Sequence, residues 1–100
     1  MDDSFKPAFD IFYAGYQQIY RNHMESSFPT LTPDPFSYTE GPKFIKIIVG
    51  TAVTTFIDKK TGDIFKSASW RAPAKHARGN LFDPSNGLQF IGPYGPAYLR

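Results

Sequence analysis

Lys59, Lys60, Lys66, Trp70, Arg71, Lys75, His76 and Arg78 fall within twenty consecutive residues, and no acid occurs between Ile64 and Phe82. Phosphate neutralisation needs several cations on one face, and an exposed aromatic ring can stack on an unpaired base. Lys66, Arg71, Lys75 and Arg78 are the candidate phosphate contacts, with Trp70 or His76 as the stacking ring. No groove-reading motif accompanies them, so binding without sequence preference is the expectation. The same residues also read as structure. Trp70 is the largest apolar side chain and could be core, Lys59 and Lys60 could solubilise a hairpin tip, and Arg71 could pair with an acid of the N-terminal half.

Other chemistries find less support. His23 and His76 are far apart and neither belongs to an HxxxH or HExxH spacing. Without cysteine there are no thiolate ligands and no disulfides. Ser67, Ser69, His76 and an aspartate make a triad on paper, but no GxSxG elbow surrounds either serine. Asp58 and Asp63 flank a hairpin loop, where aspartates ordinarily accept backbone N–H bonds, and a convex tip offers no cleft for two-carboxylate hydrolysis. The glycines fit neither GxGxxG nor GxxxxGK[ST]. No catalytic residue, metal or cofactor is assigned, and a non-enzyme is expected.

The elements that must position the basic stretch come next. One hundred residues suit one domain with one core. Ten Phe, six Tyr and one Trp supply the area to bury, while nine Pro and eight Gly favour loops. Phe9, Phe12, Tyr13, Tyr16, Ile19, Tyr20 and Met24 recur at helical spacing, which predicts a helix over about residues 7–26. Pro7 suits its first turn, and Asp2, Asp3 and Asp10 favour the N-terminal end of its dipole. Residues 29–42, PTLTPDPFSYTEGP, read as a Pro-rich connector that either wraps the domain with Leu31, Phe36 and Tyr38 as pegs or is mobile, the aromatic residues favouring wrapping.

KFIKIIV, TAVTTFID and DIFKSASW predict a three-stranded antiparallel sheet over residues 43–70, with D-K-K-T-G-D as a hairpin turn and Gly50 as a turn or bulge. Strict alternation would put Val53, Thr55 and Ile57 on one face and Thr54, Phe56 and Asp58 on the other. Pro73 could open a short basic helix over residues 74–78, ended by Gly79. A turn at Asp83 to Gly87 and an irregular tail, GPYGPAYLR, complete the chain. The fold class is α+β: one N-terminal amphipathic helix on a three-stranded antiparallel sheet, with a short basic helical turn and an irregular tail.

Charge is segregated. Residues 1–40 carry two cations against six acids, a balance of −4, and residues 41–100 carry nine cations against three acids, a balance of +6. Such segregation makes a steering surface, or two halves that attract each other. The start, MDDSFKPAFD, is acidic and lacks an apolar run, and the longest apolar run, Ile47-Ile48-Val49, is short. No secretory signal, no membrane contact and a cytoplasmic location are therefore expected.

The run VTTFIDKKTGDIFKSASWRAPAKHARGNLFD, Val53 to Asp83, resembles a small protein family encoded by bacteriophages and environmental viruses. The shared features are a hairpin, an ASWRAPAKHARGN-like segment and similar length. The resemblance implies a viral origin and a stage inside a host cell, and it carries no catalytic residue. In element order, and in Ser69 to His76, the chain also resembles the double-stranded RNA-binding domain. The Pro-rich connector and the short, Gly-terminated RAPAKHARGN depart from that pattern. The leading expectation is a small accessory protein that binds nucleic acid through a basic aromatic face. The alternative is an interaction module docking on a host or viral protein through the aromatic tail, Phe90 to Tyr98.

Overall fold

The structure, a computed structural model, describes residues 4–96. The elements are α1 (Phe5–Ser27), β1 (Phe36–Glu40), β2 (Phe44–Val49), β3 (Ala52–Asp58), β4 (Asp63–Ser67), β5 (Pro73–Asn80), a 3-10 turn (Leu88–Phe90), β6 (Ile91–Gly92) and β7 (Gly95–Pro96). The first five strands form one antiparallel meander in chain order, and β6 pairs with β7 in a separate small ladder.

The apolar spacing of α1 does what periodicity requires. Phe5, Ala8, Phe9, Phe12, Tyr16 and Tyr20 are buried, and Ile45, Ile47, Ile57 and Ile64 meet them from the sheet. A fully buried Phe or Ile contributes roughly 1.5–3 kcal/mol, so this single layer of rings on aliphatic side chains holds the two layers together. The helix ends where the Phe28 N–H donates to the Met24 carbonyl at 2.8 Å, one residue before Pro29. Asp2 and Asp3, expected to favour the helix start, lie outside the described residues.

The α+β class stands, but the sheet has five strands rather than three. The connector expected over 29–42 contains β1. Prolines at 29, 33, 35 and 42 flank the run FSYTE without interrupting it, which leaves every N–H of Phe36–Glu40 available for pairing. Phe36 and Tyr38 are two of the three pegs anticipated, whereas Leu31 is 57 % exposed and does not act as one. Phe36 meets Tyr13, Tyr16 and Tyr20 edge-on, and Tyr38 meets Phe9 and Tyr13 at ring-centroid distances of 5.0 and 5.2 Å.

The basic helix expected over residues 74–78 is instead strand β5. Five residues repay helix nucleation poorly, whereas the edge of β4 offers partners at once. Pro73 fits the first residue of an edge strand as well as it fits a helix start. Ala77 then lies opposite Phe65 and Gly79 opposite Ile64, with register shifts between. The double-stranded RNA-binding order, which needs a second long helix after the sheet, is not the order found.

Strict alternation in β3 is broken as well. Ile47 pairs with Thr55 but Ile48 pairs with Val53, so Thr54 is an extra residue, a β-bulge. The bulge turns both threonines toward the helix: the Tyr16 hydroxyl donates to Thr54 Oγ1 at 2.9 Å, and the two threonine hydroxyls lie 3.2 Å apart. Val53 moves to the other face with Ile48. Burial raises the Tyr16 pKa, and its bonds to the two threonines act against that rise.

The turns follow their chemistry. Gly50 has φ +64° and donates its N–H to the Pro35 carbonyl. In D-K-K-T-G-D the Asp58 carboxylate accepts the N–H groups of Lys60 and Thr61. The tail is more regular than expected, because Gly95, at φ +104°, closes the β6–β7 hairpin around Pro93 and Tyr94. Residues 97–100 of that tail lie outside the described residues.

Candidate nucleic-acid interface

Helix α1 covers one face of the sheet. On the opposite face, period-two alternation along β2 presents Phe44, Lys46 and Ile48, and cross-strand register adds Phe56 and Phe65. Phe44 stands edge-on to both: its ring centroid is 5.6 Å from that of Phe56 and 6.1 Å from that of Phe65. Phe56 is fully buried although no helix covers it, while Phe44 and Phe65 are half-buried. Two ammonium groups sit over these rings, Lys43 Nζ 5.2 Å from the Phe44 centroid and Lys46 Nζ 5.6 Å from that of Phe56.

The β4–β5 hairpin rises beside this face. Its loop is closed by the N–H groups of Ala68 and Ser69, both donating to the Ala72 carbonyl, and by Arg71 N–H donating to Ser69 Oγ. The tip holds Trp70, 55 % exposed, and Arg71. Trp70 is therefore not core, because the hairpin carries it past the edge of the sheet. Arg71 and the β1–β2 turn, with Lys43, Phe44, Lys46 and Phe56, line a hollow of about 330 Å³. Glu40 on that rim is held in an ion pair with Lys59 at 2.7 Å. Among the described residues, Lys43, Lys46 and Arg71 are in no ion pair. A face of half-exposed rings bordered by unpaired cations can stack bases and neutralise phosphates.

The six residues singled out from sequence do not form one patch. Trp70 and Arg71 stand together at the hairpin tip. Lys75 and His76 are exposed on the edge strand β5, and the half-buried Arg78 donates to the His76 carbonyl. Lys66 pairs with Thr55 and so belongs to the helix-side register, away from the phenylalanines. Sequence reading missed Lys43, Phe44, Lys46 and Phe65. The signal was present in KFIKIIV, where residues 44 and 46 alternate with the apolar core residues 45 and 47.

Among the described residues no group of three or more His, Asp or Glu is placed to hold a metal ion, and no helix is long and apolar enough to cross a membrane. The architecture defines a one-helix, open-faced antiparallel sheet protein. Over residues 8–93 the chain matches the family of unknown function DUF7717, and it belongs to that family. No curated protein and no solved structure matches it.

Proposed function

We propose that this protein binds single-stranded nucleic acid without sequence preference, through the uncovered sheet face and the β4–β5 hairpin. The observation that carries this reading is the grouping of Arg71 with half-buried Phe44 and with Lys43 and Lys46, which are in no ion pair among the described residues, beside an exposed Trp70 next in sequence. Rings accept any base because every base has a π-face, and cations on a flexible backbone need no fixed register. Trp70, Phe44 and Phe65 would stack. Lys43, Lys46 and Arg71 would contact phosphates, with Lys75 and His76 extending the track along β5. A viral setting for this activity rests on the resemblance of residues 53–83 alone.

The test uses the single tryptophan as reporter. Short single- and double-stranded DNA and RNA are titrated while Trp70 fluorescence is followed at low and at moderate salt. The reading expects quenching by single strands that weakens steeply with salt and is lost in an Arg71→Ala, Lys75→Ala double variant. No response to any of the four ligands at low salt would retire it. The second reading, docking on a host or viral protein through the aromatic tail, draws on Phe90, which is 47 % exposed. Its signature is partner binding with a weak salt response.

A further inference from the structure

On the far side of the molecule from the phenylalanine face, a cleft of about 310 Å³ opens between the C-terminal half of α1, the β2–β3 turn and the β6–β7 hairpin. Its walls are mainly apolar carbon, and Tyr16, Tyr20, Met24, Asp34, Thr54 and Tyr94 contribute most of its chemistry. This volume is at the small end of the range for small-molecule sites, which suits a small molecule better than a chain segment.

Three features fix its walls. Tyr94 is held upright by His23, whose Nε2 is 2.9 Å from the Tyr94 hydroxyl and whose ring meets the tyrosine edge-on at 5.2 Å. Asp34 is anchored by its backbone N–H, which donates to the Tyr20 hydroxyl at 3.0 Å. Its carboxyl carbon rests on the turn at Gly50, where a Cβ would lie 3.1 Å away, so the glycine leaves room for the carboxylate at the cleft. Among the described residues that carboxylate has neither an ion-pair partner nor a hydrogen-bond donor, although Arg21 lines an adjoining hollow.

An exposed Tyr94 ring, with Tyr20, the Met24 thioether and one carboxylate on the same cleft, suits an organic cation. Ring faces attract a cation that is weakly hydrated, and the carboxylate supplies the countercharge. Of the residues that line the cleft, Asp34 alone is charged. We propose that this cleft binds a small organic cation of the quaternary or alkylammonium class, the rings facing its carbon shell and Asp34 its charge. An anion is disfavoured by Asp34, and a neutral apolar ligand gains nothing from its charge.

The experiment titrates choline, and separately its neutral carbon isostere 3,3-dimethyl-1-butanol, into the ¹⁵N-labelled full chain, following backbone amide shifts. Choline is expected to give saturable shifts clustered on Tyr20, Asp34, Thr54 and Tyr94, with the isostere bound about ten-fold or more weakly. Asp34→Asn and Tyr94→Ala should each weaken choline by about three-fold to thirty-fold. Both side chains are at the surface, and the unshifted remainder of each spectrum reports that the fold persists. Glu25→Gln, which removes an exposed acid that does not line the cleft, should bind choline as the parent does. Equal binding of the isostere, unchanged affinity in Asp34→Asn, shifts scattered over all surface acids, or no saturation up to roughly tens of millimolar would each overturn the proposal.

Discussion

Asp83 organises the turn that returns the chain from β5 to the helix. One carboxylate oxygen accepts the N–H of Ser85, the hydroxyl of Ser85 and the N–H of Gly87, each at 2.8 Å. Partial burial alone would raise its pKa, but these donors favour the ionised form and hold it below the ordinary 3.8. A depressed folded-state value means the stabilisation is complete above the unfolded value and is lost as pH falls through the folded one. Asp83→Asn should therefore be less stable than the parent at neutral pH, by about 1–3 kcal/mol. The gap should close on acidification from about pH 5 downward, which urea melts across that range would show. A gap independent of pH would mean that the charge contributes nothing. Gly87, at the end of the same turn, has φ +83°, and a Cβ there would lie 2.3 Å from Ile64 Cδ1 and 3.2 Å from Phe12 Cδ1. Backbone strain and overpacking act together at this position, so Gly87→Ala should cost about 2–4 kcal/mol in the same melts. A neutral result would show that the core yields there.

Among the elements, the sheet treats its two aromatic residue classes differently, and that difference is testable. Phe56 on β3 is fully buried on the face without a helix, whereas Trp70 at the β4–β5 tip is mostly exposed. Phe56→Ala should destabilise the fold by about 3–5 kcal/mol, while Trp70→Ala should change stability by no more than about 0.5 kcal/mol. Thermal melts decide both, and a costly Trp70→Ala would assign the hairpin to the fold rather than to a binding surface. What was legible in sequence follows the same division. The 3.6-residue spacing of the aromatic residues from Phe9 to Tyr20 specified α1, and the β-branched runs specified β2 and β3, because period and composition are local properties. Strand β1 was hidden because its prolines flank the pairing residues, and a Pro-rich window suppresses the strand signal of the five residues inside. Strand β5 was hidden because Pro73, Ala74 and Lys75 suit a helix start; only the open edge of β4, a tertiary feature, decides for strand. The candidate site was half legible for the same reason. Trp70 and Arg71 are neighbours in sequence, but the meeting of Arg71 with Lys43, Phe44 and Lys46 depends on how the meander folds across β3.

At the scale of the whole molecule, the charge segregation of the sequence is distributed over distinct elements. Among the described residues, 4–40 carry two cations against four acids and supply the helix, the connector and edge strand β1, while 41–96 carry eight cations against three acids and supply β2 to β5 and the uncovered face. On the proposed reading, a single-stranded nucleic acid would meet the cations and rings of the uncovered face, and the field there would steer it before contact. Charge and stacking then separate under salt. Five phosphate contacts on a single strand, from Lys43, Lys46, Arg71, Lys75 and one further cation, imply a slope of about −3.5 in log K against log salt. That slope loses roughly a hundred-fold in affinity between about 50 and 200 mM. A Lys46→Ala, Arg71→Ala variant removes two contacts and should flatten the slope by about 1.4. Trp70→Ala should instead weaken binding by about 1–3 kcal/mol at every salt concentration and leave the slope as it was, because stacking releases no counterions. The two variants must move different parameters if rings and cations of one face share one ligand. Should Trp70→Ala flatten the slope, or the double variant leave it unchanged, the phosphates are held elsewhere on the protein.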